Sequence, residues 1–150
     1  MTTNIESPII RPMKSRDFKQ VSEIDRKVIG RDRIDYWKLR TEIIEKLSTV
    51  AALVAEINGR IVGFIIGDIT GWTYGVPENI GWINAIVVDP EFQRKGIGQM
   101  LFNEMIDYLK KAGVKSIYAF VHWRDFNLLR FFDSIGFKKG DIINLKLDIV

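Results

Sequence analysis

The densest chemistry in this chain lies in Val87-Val88-Asp89-Pro90-Glu91-Phe92-Gln93-Arg94-Lys95-Gly96-Ile97-Gly98. A glycine-bearing loop between a strand-like run and a helix-like run is an anion site. Unpaired backbone N–H groups and the positive end of the helix dipole point at one spot there. Gly96 and Gly98 let the backbone approach a pyrophosphate with no Cβ in the way, and Arg94 and Lys95 add positive charge beside it. It is not one of the other familiar phosphate loops. No Lys-Ser/Thr pair follows it, and its first glycine does not come directly after the strand. By itself the loop also reads as a plain turn whose glycines relieve strain.

The rest of the reactive inventory is short. With no cysteine there is no disulfide, no thiolate metal site and no thiol nucleophile. His122 is the single histidine, too few for a metal site and a candidate general base only if its position suits. Glu78 is the first choice among acidic candidates for moving a proton and Asp68 the alternative, both on the segment before the apolar run Ile80 to Val88. Asn84 inside that run can hold a relaying water. For each of these three, ordinary loop polarity or local turn bonding is the competing explanation. Trp72 and Tyr74 would either wall a channel or cover a sheet edge, and Gly30-Arg31-Asp32-Arg33 offers charge that would steer an acidic or peptide partner or merely be solvated.

Elements that place these residues follow from spacing. Pro8 to Met13 predicts a first strand, and Ser15 an N-cap for a helix with Phe18, Val21, Ile24 and Val28 on its apolar face. A second helix is expected with Tyr36, Leu39, Ile43 and Leu47 on one face. Asn58-Gly59, between Ala51 to Ile57 and Arg60 to Ile66, calls for a type I′ hairpin. Asp68 to Asn79 reads as a loop and Ile80 to Val88 as a buried central strand. Gly98 to Ala112 predicts a helix capped by Gly113, then a strand over Lys115 to Val121, a helix over Asp125 to Ile135 and a last strand over Ile142 to Ile149. The order β-α-α-β-β-β-α-β-α-β is that of an α/β (α+β type) domain with a mixed, mainly antiparallel sheet.

At 150 residues, 47% hydrophobic, the chain is expected to form one domain over residues 1–150 with a real core. Its 22 Lys+Arg against 19 Asp+Glu are scattered, which argues against a nucleic-acid partner. No stretch approaches a membrane span and Met1 to Pro8 lacks an apolar leader core, so a cytoplasmic protein is expected.

The phosphate-loop segment resembles motif A of the GNAT acetyltransferase superfamily, V-x-P-x-x-[QR]-x-x-G-x-[GA], with Val88, Pro90, Gln93, Gly96 and Gly98 in register. Val121 to Gly136-Phe137 resembles a second block of that family, and Ile10-Arg11-Pro12 with Asp17 its usual start. The resemblance implies helices on both faces of the sheet and a splay between the strands at Ile80 to Val88 and Lys115 to Val121. Acetyl-CoA would be the cosubstrate, with no metal. The main chain of Ile86, Val87 and Val88 would pair with the pantetheine, and the loop Gln93, Arg94, Lys95, Gly96, Ile97, Gly98 and Gln99 would hold the pyrophosphate. A primary amine, on a protein or a small molecule, would attack the thioester directly, without a covalent enzyme intermediate.

Two positions depart from the family pattern. Asp125 stands where Asn usually contacts the pantetheine or acceptor side, with Asn127 close enough to substitute. Phe132 stands where the family often has the Tyr that protonates the leaving thiolate. The resemblance therefore leaves open a catalytically weak or inactive acyl-CoA-binding module, and either a monomer or a homodimer.

Overall fold

A computed structural model describes residues 7–71 and 79–150, which fall in two compact units, Met1–Ala119 and Phe120–Val150. The first holds β1 (Ile9–Pro12), a 3₁₀ turn (Ser15–Asp17), α1 (Phe18–Ile29), α2 (Ile34–Lys46), β2 (Val50–Ile57), β3 (Arg60–Gly71), β4 (Asn79–Val88), a second 3₁₀ turn (Pro90–Phe92), α3 (Ile97–Lys111) and β5 (Ser116–Ala119). The second holds α4 (Phe126–Ser134). The sheet runs β1-β2-β3-β4-β5, antiparallel throughout except for the parallel β4/β5 pair.

The hairpin forms as the Asn-Gly pair dictates, with Asn58 at φ 50° and Gly59 at φ 79°. One sheet face, carrying Val54, Phe64 and Ile66, joins Met13, Val21, Ile24, Trp37 and Ile44 in a core that seats α1 and α2. Gly63 and Gly67 alternate with Phe64 and Ile66 and so face the other way. A Cβ on Gly63 would stand 3.3 Å from Leu101 and 3.4 Å from Ile97, and one on Gly67 would stand 3.1 Å from Met105. The missing side chains let α3 settle onto that second face.

Several expectations are corrected by the structure. Ser15 opens a 3₁₀ turn instead of capping a helix, and its N–H donates to Glu45. Asp17 instead ties down the start of that turn: its carboxylate accepts the Lys14 N–H at 2.7 Å and pairs with the Arg11 guanidinium at 2.9 and 3.0 Å, while α1 itself begins without a side-chain cap. Burial pushes the Asp17 carboxyl up. The Arg11 hydrogen bonds and the Lys14 amide outweigh that and hold it below its usual value.

On α2 the expected face is turned outward: Tyr36, Leu39, Ile43 and Leu47 are exposed, and Trp37, Thr41 and Ile44 are buried. Both sets keep helical spacing, and the set carrying the large indole wins the core. The Trp37 ring meets Phe64 edge-on at 5.2 Å. The Thr41 hydroxyl is tolerated inside because it donates to the Trp37 carbonyl four residues back.

The Asp68 to Asn79 segment is not loop at its start. The β-branched run Ile65-Ile66 with Ile69-Thr70 carries β3 on to Gly71, so Asp68 sits on a strand. In the second unit Ile142 to Ile149 forms no strand, because alternation alone gives an amphipathic segment and a ladder needs a neighbour. Among the described residues no helix is long and apolar enough to cross a membrane.

Candidate active site

β4 is paired with β3 from Asn79 to Val88, but with β5 only over Ile80–Ile83. Beyond Ile83 the two parallel strands part. Among the described residues, the β5-facing side of β4 from Asn84 to Val88, including the half-buried Ile86, Val87 and Val88, has no strand beside it. Alternate main-chain N–H and C=O groups there offer a ladder to an extended ligand.

The fork coincides with a β-bulge. Ile66 faces Ala85 and Gly67 faces Ile83, leaving Asn84 as the extra residue. A bulge re-aims its side chain, and the exposed Asn84 amide donates to the Asp68 carboxylate across the pair of strands. Two of the three acid-base candidates are thereby brought together at the point of divergence. The third, Glu78, lies outside the described residues, as do Trp72 and Tyr74.

At the other end of β4 the loop takes the shape its composition promised. Arg94 at φ 64° and Gly96 at φ 79° are both left-handed, with Lys95 between them. Such a turn gathers successive N–H groups into a concavity, and Gly96 is also the N-cap of α3, whose first amides have no partner four residues back. Gly96 carries no side chain, and a Cβ there would meet nothing within 4 Å. The concavity therefore opens on space, which fits a pyrophosphate lying against backbone donors. Gln93 supports the loop by donating from Nε2 to the Val88 carbonyl at 3.1 Å, and the Gln99 side chain turns along the helix to Asn103. Its placement marks Gln93 as a tie between loop and strand.

Underneath lies a group of residues that sequence reading missed. Asp89 is 1% exposed and accepts from the Glu91 N–H at 3.0 Å, from Lys27 Nζ at 3.0 Å and from Arg60 at 3.3 Å. Burial raises its carboxyl, while the Glu91 amide and the Lys27 ammonium more than offset this and leave it below the ordinary value. Arg60 and Lys95 also lie 5.0 and 5.2 Å from the centre of the Phe92 ring. In sequence Asp89-Pro90 reads only as a strand stop, because Lys27 and Arg60 are 62 and 29 positions away from Asp89.

A depressed carboxyl stabilises the fold above its unfolded pKa, and that stability is lost as pH falls through the folded value. For both Asp17 and Asp89 the loss is therefore expected below about pH 4. Asp89→Asn is expected to cost about 2 kcal/mol, by removing the charge that Lys27 and Arg60 share, hydrogen bonds to charged groups contributing about 1.5–3 kcal/mol. It should also flatten the acid limb of a urea-melt series, and an unchanged midpoint across pH would refute this role.

In the second unit, Asp125 Oδ1 accepts the Leu128 N–H at 3.1 Å and so caps α4, which gives this departure from the family pattern a local structural task. Asn127 is exposed on the first turn. Phe132 is buried, with its ring 4.7 Å from Phe137 and 5.6 Å from Phe131. His122 Nδ1 accepts the Arg124 N–H within a turn. In the first unit, Arg33 is held by a two-pronged pair with the buried Asp25 at 2.8 and 2.9 Å, which gives one of the two arginines of Gly30-Arg31-Asp32-Arg33 a structural task.

Residues 18–137 match the model of the acetyltransferase (GNAT) family. Over 91 residues the chain is 32% identical to an uncharacterized N-acetyltransferase of Methanocaldococcus jannaschii, covering 60% of this chain and 40% of that protein. Over 85 residues it is 35% identical to the ribosomal protein bS18 alanine N-acetyltransferase of Escherichia coli K12, covering 57% and 53%. The matches thus span about half the length of these relatives or less. In fold it is similar to an aminoglycoside N-acetyltransferase crystallised in complex with CoA (TM-score 0.85, 14% identity, all of both chains). It is also similar to a ribosomal-protein-alanine N-acetyltransferase from Brucella melitensis biovar Abortus 2308 (TM-score 0.76, 16% identity, 95% of this chain and 100% of that one).

Proposed function

The chain belongs to the acetyltransferase (GNAT) family, and from that premise we propose that it transfers the acetyl group of acetyl-CoA to a primary amine. The observation that carries this reading is the stretch of β4 from Asn84 to Val88, paired with β3 on one side and with no strand on its β5 side among the described residues, leading straight into the left-handed Arg94/Gly96 turn. A pantetheine arm bound as an added strand places its pyrophosphate at that turn and its thioester toward the fork.

The chemistry is one displacement. A neutral amine attacks the thioester carbonyl, the C–S bond breaks, and the amine proton passes to water or a nearby carboxylate. Main-chain N–H groups of β4 at the fork stabilise the developing oxyanion. Asp68 and Asn84 are the groups we assign to the amine side, the carboxylate drawing in an ammonium and the amide oxygen holding a water. The acceptor class is a protein N-terminus or lysine, or a small amine. Relatives named for a ribosomal-protein alanine and for aminoglycosides span that range. A CoA-release assay against a panel of N-terminal peptides, lysine peptides and aminoglycosides tests it, and no turnover with any amine despite tight CoA binding would replace the enzyme with a binding module.

Phe132 is buried beside Phe131 and Phe137 and its phenyl ring carries no acid, which supports that second reading. A free thiol has a pKa of about 8.5, so thiolate can depart without an acid near neutral pH. We expect Phe132→Tyr to raise turnover several-fold at unchanged CoA affinity. A fall in turnover together with a lower Tm would instead mark the ring as packing alone.

A further inference from the structure

Among the described residues two that are not glycine have a left-handed backbone, Asn58 and Arg94. Asn58 sits in a hairpin turn that suits asparagine. Arginine has no such aptitude. A long side chain at φ 64° is a departure from what its type prefers, and such a departure persists only where the surroundings over-determine it. Arg94 opens the turn whose N–H groups form the concavity, so whatever holds its backbone also aims those donors.

The chain leading into the turn is tied down by hydrogen bonds. The Asp89 N–H donates to the Val62 carbonyl and the Phe92 N–H to the Asp89 carbonyl, both at 2.8 Å, and Gln93 Nε2 donates to the Val88 carbonyl at 3.1 Å. Across Arg94 itself the join is made by side chains. Lys95 Nζ stands 5.2 Å from the centre of the half-buried Phe92 ring, so the contact spans Gln93 and Arg94. The ring meets a second cation in Arg60, whose guanidinium carbon is 5.0 Å from the same centre. Arg60 Nη2 also donates to the carboxylates of Asp89 at 3.3 Å and Glu91 at 3.1 Å. Its backbone is fixed by the sheet, because it is the first residue of β3 and pairs with Ile57 across the hairpin.

We propose, on the reading of this turn as the pyrophosphate site, that Phe92 is a positioning residue for CoA. Its ring, seated against Arg60, draws Lys95 back over Gln93 and Arg94 and keeps Arg94 left-handed. An aliphatic side chain would fill the same space without a π face to hold either cation. Lys95 thereby serves twice, as charge beside the anion and as the contact that closes the turn.

The test compares CoA with pantetheine, which lacks the pyrophosphate, in chemical-shift titrations of the full chain. Phe92→Leu is expected to bind CoA about tenfold more weakly, the order of loss when a turn must be pulled back into left-handed geometry, and to bind pantetheine as the parent does. Phe92→Tyr keeps the ring and is expected to keep both affinities. A glycine takes a left-handed backbone at no steric cost, so in an Arg94→Gly background Phe92→Leu is expected to weaken CoA binding by less than about threefold. If Phe92→Leu does not fold, Arg60→Met, which leaves the ring and removes the guanidinium, is read in the same way. A parent that binds CoA beside a Phe92→Leu chain of equal CoA affinity overturns the positioning role and leaves the pyrophosphate site standing. Equal losses for CoA and pantetheine, as from a ring that only packs, or an undiminished loss in the Arg94→Gly background, also overturn it. A parent that binds no CoA overturns the pyrophosphate site and the positioning role together.

Discussion

Gly96→Val is expected to bind CoA at least tenfold more weakly than the parent while keeping its fold. The cause is conformational and not a clash, since a Cβ at Gly96 meets no atom within 4 Å. What valine cannot do cheaply is hold φ 79°, because a β-branched side chain in the left-handed region costs about 1–3 kcal/mol. The chain can accept that cost only by lowering the stability of the loop. Otherwise it relaxes to a right-handed or extended backbone and swings the first α3 amides out of the concavity. Since about 1.4 kcal/mol is a factor of ten in affinity, the relaxed loop reaches the expected loss, because CoA must then bind a turn that has to be forced back to the left-handed geometry. Gly30 supplies the control, with φ 77° and nothing within 4 Å of its Cβ, at the end of α1. Gly30→Val should lower Tm by a similar amount and leave CoA affinity as it was. Calorimetry showing CoA affinity within threefold of the parent for Gly96→Val would remove the pyrophosphate from this turn.

That experiment leans on a feature visible in the sequence, and the reason is local. Glycines at a strand-to-helix junction and an Asn-Gly hairpin are decided by a few adjacent residues, so Gly96 and Asn58-Gly59 take the conformations their types require. The length and β-branching of Ile80 to Val88 likewise suffice to mark a central strand. The orientation of α2 was not legible, since two apolar stripes compete and the choice depends on Phe64, a residue of another element. Nor was the Asp89 pairing with Lys27 and Arg60, which only the tertiary fold brings together. Asn84 and Asp68 were both named, yet as separate candidates. The bulge that makes them one site is a mismatch in register between β3 and β4 that neither strand displays alone. Ile142 to Ile149 has the alternation of a strand but no ladder, because alternation specifies a face and says nothing about which edge receives it.

The second large effect is expected at that bulge. With acceptor amines of pKa about 10.4, only about one molecule in 2,500 is neutral at pH 7, a cost of about 4.6 kcal/mol before any bond forms. kcat/KM is therefore expected to climb close to tenfold per pH unit from pH 6 toward pH 9, set by the acceptor and not by the thiol. A carboxylate at the fork does two things for such a reaction. It concentrates the ammonium form beside the thioester, and it ends a short path for the released proton through a water on the Asn84 amide oxygen. Proton transfer through a positioned group contributes typically about 10²- to 10⁴-fold. Asp68→Asn keeps the size and a hydrogen-bonding partner for Asn84 and removes only the charge. It should lower kcat/KM about 100-fold, leave CoA affinity unchanged and preserve the slope of the pH profile, because the slope belongs to the acceptor. Asn84→Ala should reproduce part of the loss, and combining the two should cost little more than Asp68→Asn alone, since both act through one proton path. An Asp68→Asn chain with the parent's rate and pH profile would move the role to Glu78, where Glu78→Gln is the corresponding measurement, or to bulk solvent.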